Sequence, residues 1–387
     1  MRFVLAVSAL ALLATPPAAA VELRLPGDLA QLQVHGFISQ GFLYSSANNY
    51  LAHSSQGSFE FTELGLNFTM LATDKLTLGL QIFSHDLGPI GDYRATLDWY
   101  AVDYHWQDWL GVRAGRVKLP FGLYNDSSDI DSARTAILLP QSIYPAQNRD
   151  FLLAQTGVEV YGYQGLGAAG GLDYRMYGGT IFLDLRPQPG NPITAVDVNV
   201  PYVAGGRVLW AAPAPVEGLR LGGSLQFLRL ETHLLLPSTP SQVAVNLPVM
   251  LWVASVEYTV RDLLLAAEYS RWRVRTESSN PSLVPEALTF SERGYALASY
   301  RVNSWLQAGA YYSLLFPNVT RRGTLDGRQH DAALTLRFDV NPFWLVKVEG
   351  HYMHGMAGLS SSLNGNQPLK SLSPDWAFFA VKTTAFF

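Results

Sequence analysis

The sequence predicts an all-β protein, a transmembrane antiparallel β-barrel of about 16 strands with a long third extracellular loop folded into the lumen. Three observations lead to the barrel: period-two alternation of apolar and polar side chains, alternation of short and long connections, and an unusual composition. Of the 387 residues only 15% are charged, 12% are aromatic and 33 are glycine, whereas ~25% of residues are charged in ordinary soluble domains. Beyond the N-terminus, no run reaches the ~18 apolar residues of a transmembrane helix.

The alternation is clearest near the C-terminus. Between residues 334 and 340, leucine, phenylalanine and valine at the even positions alternate with threonine, arginine and aspartate at the odd ones. Residues 64–70, 76–82, 219–227 and 344–351 follow the same rule. Because successive side chains of a strand point to opposite faces, each segment has one apolar and one polar face.

The connections between these segments sort into two kinds that alternate along the chain. Seven are tight turns, and eight are long, the longest being about residues 120–151. Short turns on one side, long loops on the other and an even strand number are typical of an outer-membrane barrel, and a soluble β-sandwich is the alternative. The predicted strands lie near 32–44, 58–72, 76–85, 93–106, 109–119, 152–163, 169–182, 199–211, 219–230, 249–260, 263–274, 291–302, 305–316, 329–340, 343–354 and 374–387.

Residues 1–20 have the organisation of a secretory signal peptide. Arg2 precedes an apolar stretch over residues 3–13, and three alanines end the segment. A basic start, a short apolar region and small residues form the pattern at which such peptides are cleaved. We therefore expect residues 21–387 to form a single barrel domain in the bacterial outer membrane.

Several segments resemble those of known bacterial porins. Residues Gly115 to Gly122, which read GRVKLPFG, are similar to the strand-to-loop segment of the general and phosphate-selective sixteen-stranded porin families, and residues 35–41 and 300–313 are porin-like as well. The resemblance implies that the loop near 120–151 folds into the lumen and forms a constriction. It also implies a homotrimer and a water-filled channel for passive diffusion of small hydrophilic solutes and ions.

The chain ends in TTAFF, with phenylalanine at position 387. This ending resembles the C-terminal signature by which outer-membrane barrels are recognised for assembly. The resemblance implies that Phe387 is the assembly signal and that the barrel assembly machinery is a partner. Outer-membrane lipid and lipopolysaccharide are the other expected partners.

The polar faces of the strands and the third loop supply the predicted pore lining. Charged side chains inside a wide barrel stay hydrated and bias which ions enter. For any single residue, however, a cross-strand charge pair that only stiffens the wall is the more common role. The candidates are Glu63, Arg94, Arg113, Arg116, Lys118, Asp126, Asp129, Asp131, Arg134, Arg149, Arg220, Arg337, Lys347 and Glu349. We expect the loop residues Asp126, Asp129, Asp131 and Arg134 to approach Arg94, Arg113, Arg116 and Lys118 and create a transverse field.

The alternatives to this channel are an anion-selective channel and an outer-membrane barrel enzyme. An anion-selective channel for phosphate or organic acids would need bases at the constriction without opposing acids, whereas the loop contains both. An outer-membrane barrel enzyme would need a Ser–His pair or paired carboxylates at the rim, and no such motif stands out. The absence of cysteine excludes disulfide scaffolds, and a net charge of −4 argues against nucleic-acid binding. We expect no cofactor, no metal and no enzymatic activity.

Three further features are open to test. The run 125–131 contains oxygen ligands for calcium but lacks the pattern of an EF-hand, so a solvated turn is favoured. Arg271, Arg273 and Arg275 point outward by simple parity, beside lipopolysaccharide phosphates, or inward if a bulge shifts the strand. The aromatic girdle at headgroup level is predicted from Trp99, Tyr100, Trp106, Trp109, Tyr258, Tyr269, Trp305, Tyr312, Trp344, Tyr352 and Trp376.

Overall fold

A computed structural model describes residues 21–24, 31–183, 194–236 and 242–387. The predicted signal peptide lies outside the described residues. The described strands form one antiparallel sheet in which each barrel strand pairs with the next along the chain, and the last pairs with the first. The result is a closed antiparallel barrel of 16 strands, as the sequence predicts.

A short strand, β1 (Val21–Arg24), pairs with the start of the first barrel strand. The barrel strands are β2 (Gln31–Ser45), β3 (Phe61–Leu71), β4 (Leu76–Leu87), β5 (Thr96–Gln107), β6 (Leu110–Lys118), β7 (Ala154–Gly165), β8 (Gly171–Ile181), β9 (Thr194–Ala211), β10 (Leu219–Leu235), β11 (Gln242–Val260), β12 (Leu263–Ser278), β13 (Ala287–Arg301), β14 (Leu306–Phe316), β15 (Gln329–Asn341), β16 (Trp344–Gly355) and β17 (Asp375–Phe386). The described parts of the connections contain 3-10 turns and one short helix, α1 (Arg149–Leu152). Among the described residues, no helix is both long and apolar enough to cross a bilayer.

All sixteen predicted strands are present, and five of them extend by four residues or more beyond a predicted end. Strands β9 to β13 extend by four to seven residues at the end that carries the long loops: β11, for example, begins at Gln242 rather than at 249. The added residues include Pro248 and several polar side chains, which the alternation rule does not assign to a strand. These hairpins therefore rise higher than the sequence indicates.

The two faces of the strands differ as the alternation predicts. On β15, Leu334 and Leu336 are 70% and 44% exposed, while the intervening Thr335 and the following Arg337 are each 3% exposed. In a closed barrel the exposed apolar side chains form the outer face, and the buried polar ones form the inner face.

Most of the predicted girdle residues lie exposed on the outer face: Tyr100, Trp106, Trp109, Tyr269, Trp305, Tyr312, Trp344 and Tyr352. Two predictions are wrong. The β4–β5 pairing shifts register between Gln81 and Ile82, and this bulge turns Trp99 inward, where its Nε1 donates to Gln81 Oε1 at 2.9 Å. Trp376 is only 2% exposed and packs against the ring of Tyr50.

The last residue completes the closure of the sheet. The backbone N–H of Gly36 donates to the Phe387 carbonyl at 3.1 Å, and the Phe387 N–H donates back to Gly36 at 3.0 Å. A Cβ atom on residue 36 would lie 2.6 Å from the Phe387 ring, so a larger residue there would displace this ring. The terminal residue therefore pairs with the first barrel strand, and its role as an assembly signal remains a prediction.

Deletion of Phe387 should lower the amount of assembled barrel, because two backbone hydrogen bonds at the closing edge are lost where lipid supplies no replacement. At ~1 kcal/mol for each bond, the loss is about 2 kcal/mol. The measurement is heat-modifiable migration in outer-membrane fractions. Phe182→Ala is the control, since Phe182 is an exposed aromatic residue away from the closing edge. Equal yields of both variants and the unmodified chain would contradict the prediction.

Candidate functional site

The long connection between β6 and β7, residues 119–153, is the centre of the candidate site. Most of its side chains are buried, and Ile137 and Ile143 are 0% exposed. Its apolar residues pack on inner-face apolar side chains of β11 and β12, including Leu251, Val253 and Ala266. The barrel wall thus has inward apolar patches because this segment, called the inner segment below, covers them.

The inner segment begins with a tight turn at Gly122. This residue has φ of +61°, and a Cβ atom there would lie 2.9 Å from a carboxylate oxygen of Glu268. The N–H of Gly122 donates to Ser224 Oγ at 2.9 Å, and the N–H of Leu123 donates to Glu268 Oε1 at 2.9 Å. Glycine permits both the backbone conformation and the close approach.

Glu268 is a buried carboxylate on β12 that holds this turn. It accepts hydrogen bonds from Ser255 Oγ at 2.5 Å and Tyr295 Oη at 2.8 Å, and from the hydroxyl of Tyr144 in the inner segment. No basic side chain forms an ion pair with it in the part of the chain that the structure describes. Hydroxyl and N–H donors therefore satisfy this charge.

The three acids of the run 125–131 are each paired with bases of the wall. Asp126 contacts Arg175 at 2.6 Å and Arg207 at 3.0 Å, and Asp129 contacts Lys118 at 2.6 Å. Burial alone would raise the pKa of both carboxyl groups, but these cations outweigh it and hold the pKa of each below its usual range. The run is therefore buried and charge-paired, and the expected solvated turn is wrong.

Asp131 is the most strongly held of the three. Its carboxylate accepts from Lys347 Nζ at 3.0 Å and from Thr384 Oγ1 at 2.7 Å, and Lys382 Nζ lies 3.4 Å away. Burial acts to raise its pKa, but the charges of Lys347, Lys382 and Arg134 lower it well below the usual range. Asp131 therefore stays ionised at neutral pH and ties the segment to β16 and β17.

A second anchor on β16 binds the backbone of the inner segment. Glu349 accepts from the N–H of Ile137 at 2.7 Å and from that of Leu138 at 2.9 Å. His351 Nε2 lies 3.1 Å from Glu349, and its Nδ1 lies 2.8 Å from Asp331. All five residues are buried, which makes this a fixed attachment.

These contacts reach side chains around the whole ring. Asp126 meets Arg207 of β9, and Asp131 meets Thr384 of β17. Following the pairing order, β9 and β17 are half the ring apart. One segment therefore contacts the inner face of strands on opposite sides of the barrel.

Comparison with known proteins supports the architecture. No protein-family model matches the chain, and no curated protein matches it in sequence. Solved structures do match: OmpT of Vibrio cholerae in a trimer form (TM-score 0.57, 12% identity, 93% of this chain and 100% of that chain) and OmpF of Salmonella typhi (0.59, 12%, 95% and 100%). An anion-selective porin from Comamonas acidovorans matches with a TM-score of 0.56 and 14% identity over 92% of this chain and 100% of that chain.

The fold is that of a porin-like outer-membrane barrel. At this level of identity the similarity shows the fold alone.

The wall bases that were expected to face the loop acids have different partners. Lys118 forms an ion pair with the loop residue Asp129 at 2.6 Å. Arg113 pairs with Asp103 and Glu159 of the wall.

The other two expected bases are Arg116 and Arg94. Arg116 Nε donates to the carbonyl of Asp98 at 2.8 Å. The placement of Arg94 on the wall is wrong, since β5 begins at Thr96 and Arg94 is exposed in the preceding loop.

The remaining predicted residues form pairs of the inner face or the inner segment. The pairs are Arg220 with Glu257, Arg337 with Asp339, Glu63 with Lys382 and Arg149 with Asp98. Arg134 donates to the carbonyls of Ser128 and Ile137 within the segment.

Sequence reasoning missed Lys382. On β17 the inward positions also include Trp376, Phe378 and Ala380, which are buried apolar residues. The strand is therefore apolar on both faces and offers no parity signal. A lone lysine within such a strand is the one clue that the sequence contains.

The three arginines at the outer end of β12 lie on the outer face. The pairings of β12 with β11 and β13 run through Arg271 and Arg273 without a register shift. Trp272 between them is buried beneath Arg293 on the inner face, while Arg273 and Arg275 are exposed. The alternative of a bulge that turns the arginines inward is wrong.

Among the cavities that flank the inner segment, two lie toward opposite ends of the barrel. One of about 280 Å³ lies toward the short turns and is lined by Arg134, Arg301, Arg337 and Tyr311, among others. The other, of about 200 Å³, lies toward the long loops and is lined by Arg293 and Asn148, among others. Within the described residues, no cluster of histidine and acidic side chains is arranged to hold a metal ion.

Asp131→Asn should loosen the inner segment, because Lys347 and Lys382 would lose a buried carboxylate partner. Breaking a buried ion pair by removing one partner costs ~3–5 kcal/mol. We expect trypsin to cleave after Arg134 or Arg149 in the folded barrel of this variant and not in the unmodified chain. Asp108→Asn, in an exposed turn, is the control. Equal resistance of all three proteins would count against the anchor.

Proposed function

We propose that this chain forms an outer-membrane channel for the passive diffusion of small hydrophilic solutes and ions, with the inner segment lying in the lumen as a constriction. The single observation that carries the proposal is that residues 119–153 contact inner-face side chains of β9 and of β17 in a closed ring. A loop lying outside the barrel cannot reach both, because the wall stands between them.

The charges around this constriction are mixed. Asp126, Asp129 and Asp131 lie on the segment, and the bases that meet them come mainly from the wall. Opposed charges across a narrow gap produce a transverse field that orients dipolar solutes and admits ions of both signs. A general channel with modest selectivity therefore fits better than a strongly anion-selective one. The similar structures include an anion-selective porin and OmpF, which supports a channel rather than an enzyme.

The proposal includes a homotrimer. One of the similar structures is a trimer form. On the outer face of this chain, a depression contains a group of small residues among larger aromatic and aliphatic ones, and the small residues would let a neighbouring barrel approach closely: Ala296, Ala298, Ala310, Ala332, Gly350 and Ala377.

Planar-bilayer recording tests the channel. The unmodified chain should give stable single-channel conductance, and replacing Arg113, Arg116 and Lys118 by glutamine should shift the reversal potential in a salt gradient toward cation preference. One charge ~5 Å from an ion contributes about 0.8 kcal/mol even in water, so three should change the cation-to-anion permeability ratio several-fold.

The matched control removes the same net charge away from the lumen, through Lys75→Gln, Arg261→Gln and Lys370→Gln, all at exposed positions in turns or loops. This triple variant should retain the reversal potential of the unmodified chain. An absence of conductance would refute the channel, and equal reversal potentials in both triple variants would refute the constriction.

We further propose that the outer end of β12 binds phosphate groups of lipopolysaccharide. Arg273 and Arg275 are exposed on the outer face beside the long loops, and Arg271 lies over the ring of Phe290. Guanidinium groups bind phosphate through paired hydrogen bonds. Arg273 and Arg275 lie at the rim of the apolar outer face, where lipid headgroups would meet the barrel.

Arg273→Ser combined with Arg275→Ser should weaken binding of lipopolysaccharide to the detergent-solubilised barrel. Each basic residue near an anionic lipid surface contributes ~1 kcal/mol, so affinity should fall at least tenfold. Lys75→Ser with Arg261→Ser, at the short-turn end, should leave affinity unchanged. Equal affinities for the two double variants would rule the site out.

A further inference from the structure

Arg293, on the inner face of β13, is a base without an acidic partner. No carboxylate of the described residues lies within ion-pair distance of it, whereas six other inner-face arginines have one: Arg113, Arg175, Arg207, Arg220, Arg301 and Arg337. Its Nη1 donates to the carbonyl of Ser142 at 3.2 Å, and its Nε donates to Ser291 Oγ at 3.3 Å. An unpaired, largely enclosed cation has a remaining demand for negative charge.

The guanidinium group is fixed in position. Its central carbon lies 3.5 Å from the centre of the Trp272 ring, which is itself buried. The carbonyl of Ser142 holds one edge of the group, and Ser142 Oγ is in turn hydrogen-bonded to Ser313. A planar donor held this rigidly loses little entropy when it binds a planar anion.

Arg293 faces the cavity of about 200 Å³ at the long-loop end of the barrel. The cavity lies between the inner segment and the long loops that contain Leu51, Pro317 and Leu359. Amide and hydroxyl groups line one part of it: Gln141, Ser142, Gln147, Asn148, Ser313 and Gln329. Apolar side chains line another: Leu51, Leu315, Met353 and Leu359.

The acids near this cavity are already engaged. Asp331 is the acidic residue among the lining side chains, and it contacts His351 Nδ1 at 2.8 Å and Tyr311 Oη at 3.2 Å. Glu268, on the neighbouring strand β12, accepts hydrogen bonds from four groups, among them Ser255 and Tyr295. Neither carboxylate forms an ion pair with Arg293.

We propose that this cavity is a binding site for a small organic monocarboxylate, with the carboxylate on Arg293 and the hydrocarbon part against Leu315, Met353 and Leu359. One guanidinium group matches a single negative charge and offers two parallel N–H donors to it. The apolar lining matches an aliphatic or aromatic body, and a volume below the ~300 Å³ of drug-sized pockets restricts the ligand to a small one. The proposal rests on the proposed function, since the ligand is a solute that enters the channel from the long-loop side.

The experiment measures binding to the full, detergent-solubilised barrel by calorimetry, with three probes. Benzoate should bind. Benzamide, which has nearly the same shape but no charge, should bind at least tenfold more weakly, and so should inorganic phosphate, which has the charge but no apolar body. Equal binding of benzoate and benzamide, or tighter binding of phosphate, would overturn the proposal without the need for any variant.

Variants then assign the site. Arg293→Gln should weaken benzoate binding at least tenfold, and Arg293→Lys, which keeps the charge but loses the planar donor pair, should weaken it less. Arg321→Gln is the control, because Arg321 is an exposed arginine of a long loop paired with Asp326 and lies outside the cavity. Heat-modifiable migration checks that each variant is folded. Unchanged benzoate affinity in folded Arg293→Gln would place the site elsewhere.

These experiments test the binding site and the channel independently of each other. A barrel that binds benzoate in calorimetry but gives no conductance in bilayers would refute the proposed channel and leave the binding site in place. A barrel that conducts ions but does not distinguish benzoate from benzamide would refute the binding site alone.

Discussion

The structure depends on the pairing of β17 with β2. Lipid cannot hydrate the N–H and C=O groups of an open edge, so a sheet in a bilayer must close on itself. The closing register aligns Phe386 with Phe37 and ends with two hydrogen bonds between Gly36 and Phe387. Once the ring is closed, each side chain of a barrel strand is committed to the inner or the outer face, because a slip of one residue would exchange the two faces. The apolar outer face and the polar inner face therefore follow from one constraint.

The inner face contains buried cations, and the inner segment provides carboxylates that pair with them. Lys347 and Lys382 are 0% exposed on adjacent strands, and two such cations are costly to bury without a counter-charge. Asp131 supplies a negative charge from the segment and Glu63 supplies another from the wall, and the lysines in turn keep Asp131 ionised. Wall and segment thus neutralise each other's buried charges, and the segment, which has little regular structure of its own, is held by its contacts with the wall.

The strand number, the strand order and the long third connection were all predictable from the sequence, because strand parity and loop alternation are local patterns. The strand ends of β9 to β13 were not, since Pro248 and the polar residues there follow no alternation. Trp99 was misplaced because a bulge at Asp98 shifts the parity, and bulges leave no fixed mark in sequence. Lys382 was missed because apolar residues occupy both faces of β17. The wall partners of Asp126 and Asp131 come from strands far apart in the chain, and only the closed ring brings them together.

Two charged side chains on the neighbouring strands β12 and β13, Glu268 and Arg293, have no ion-pair partner among the described residues, and their surroundings give them different roles. Glu268 has no cation partner among the described residues, but four donors saturate its oxygens and fix the start of the inner segment, so its charge serves the fold. Arg293 has one carbonyl, one hydroxyl and the face of Trp272, which leave guanidinium N–H donors without an anion. Because the other charges of the inner face mostly cancel in pairs, their fields fall off quickly with distance. The guanidinium group of Arg293, which has no acidic partner among the described residues, therefore offers a positive site in the cavity at the long-loop end. In the proposed channel, an anion that enters from that side meets this site before it reaches the mixed charges of the proposed constriction.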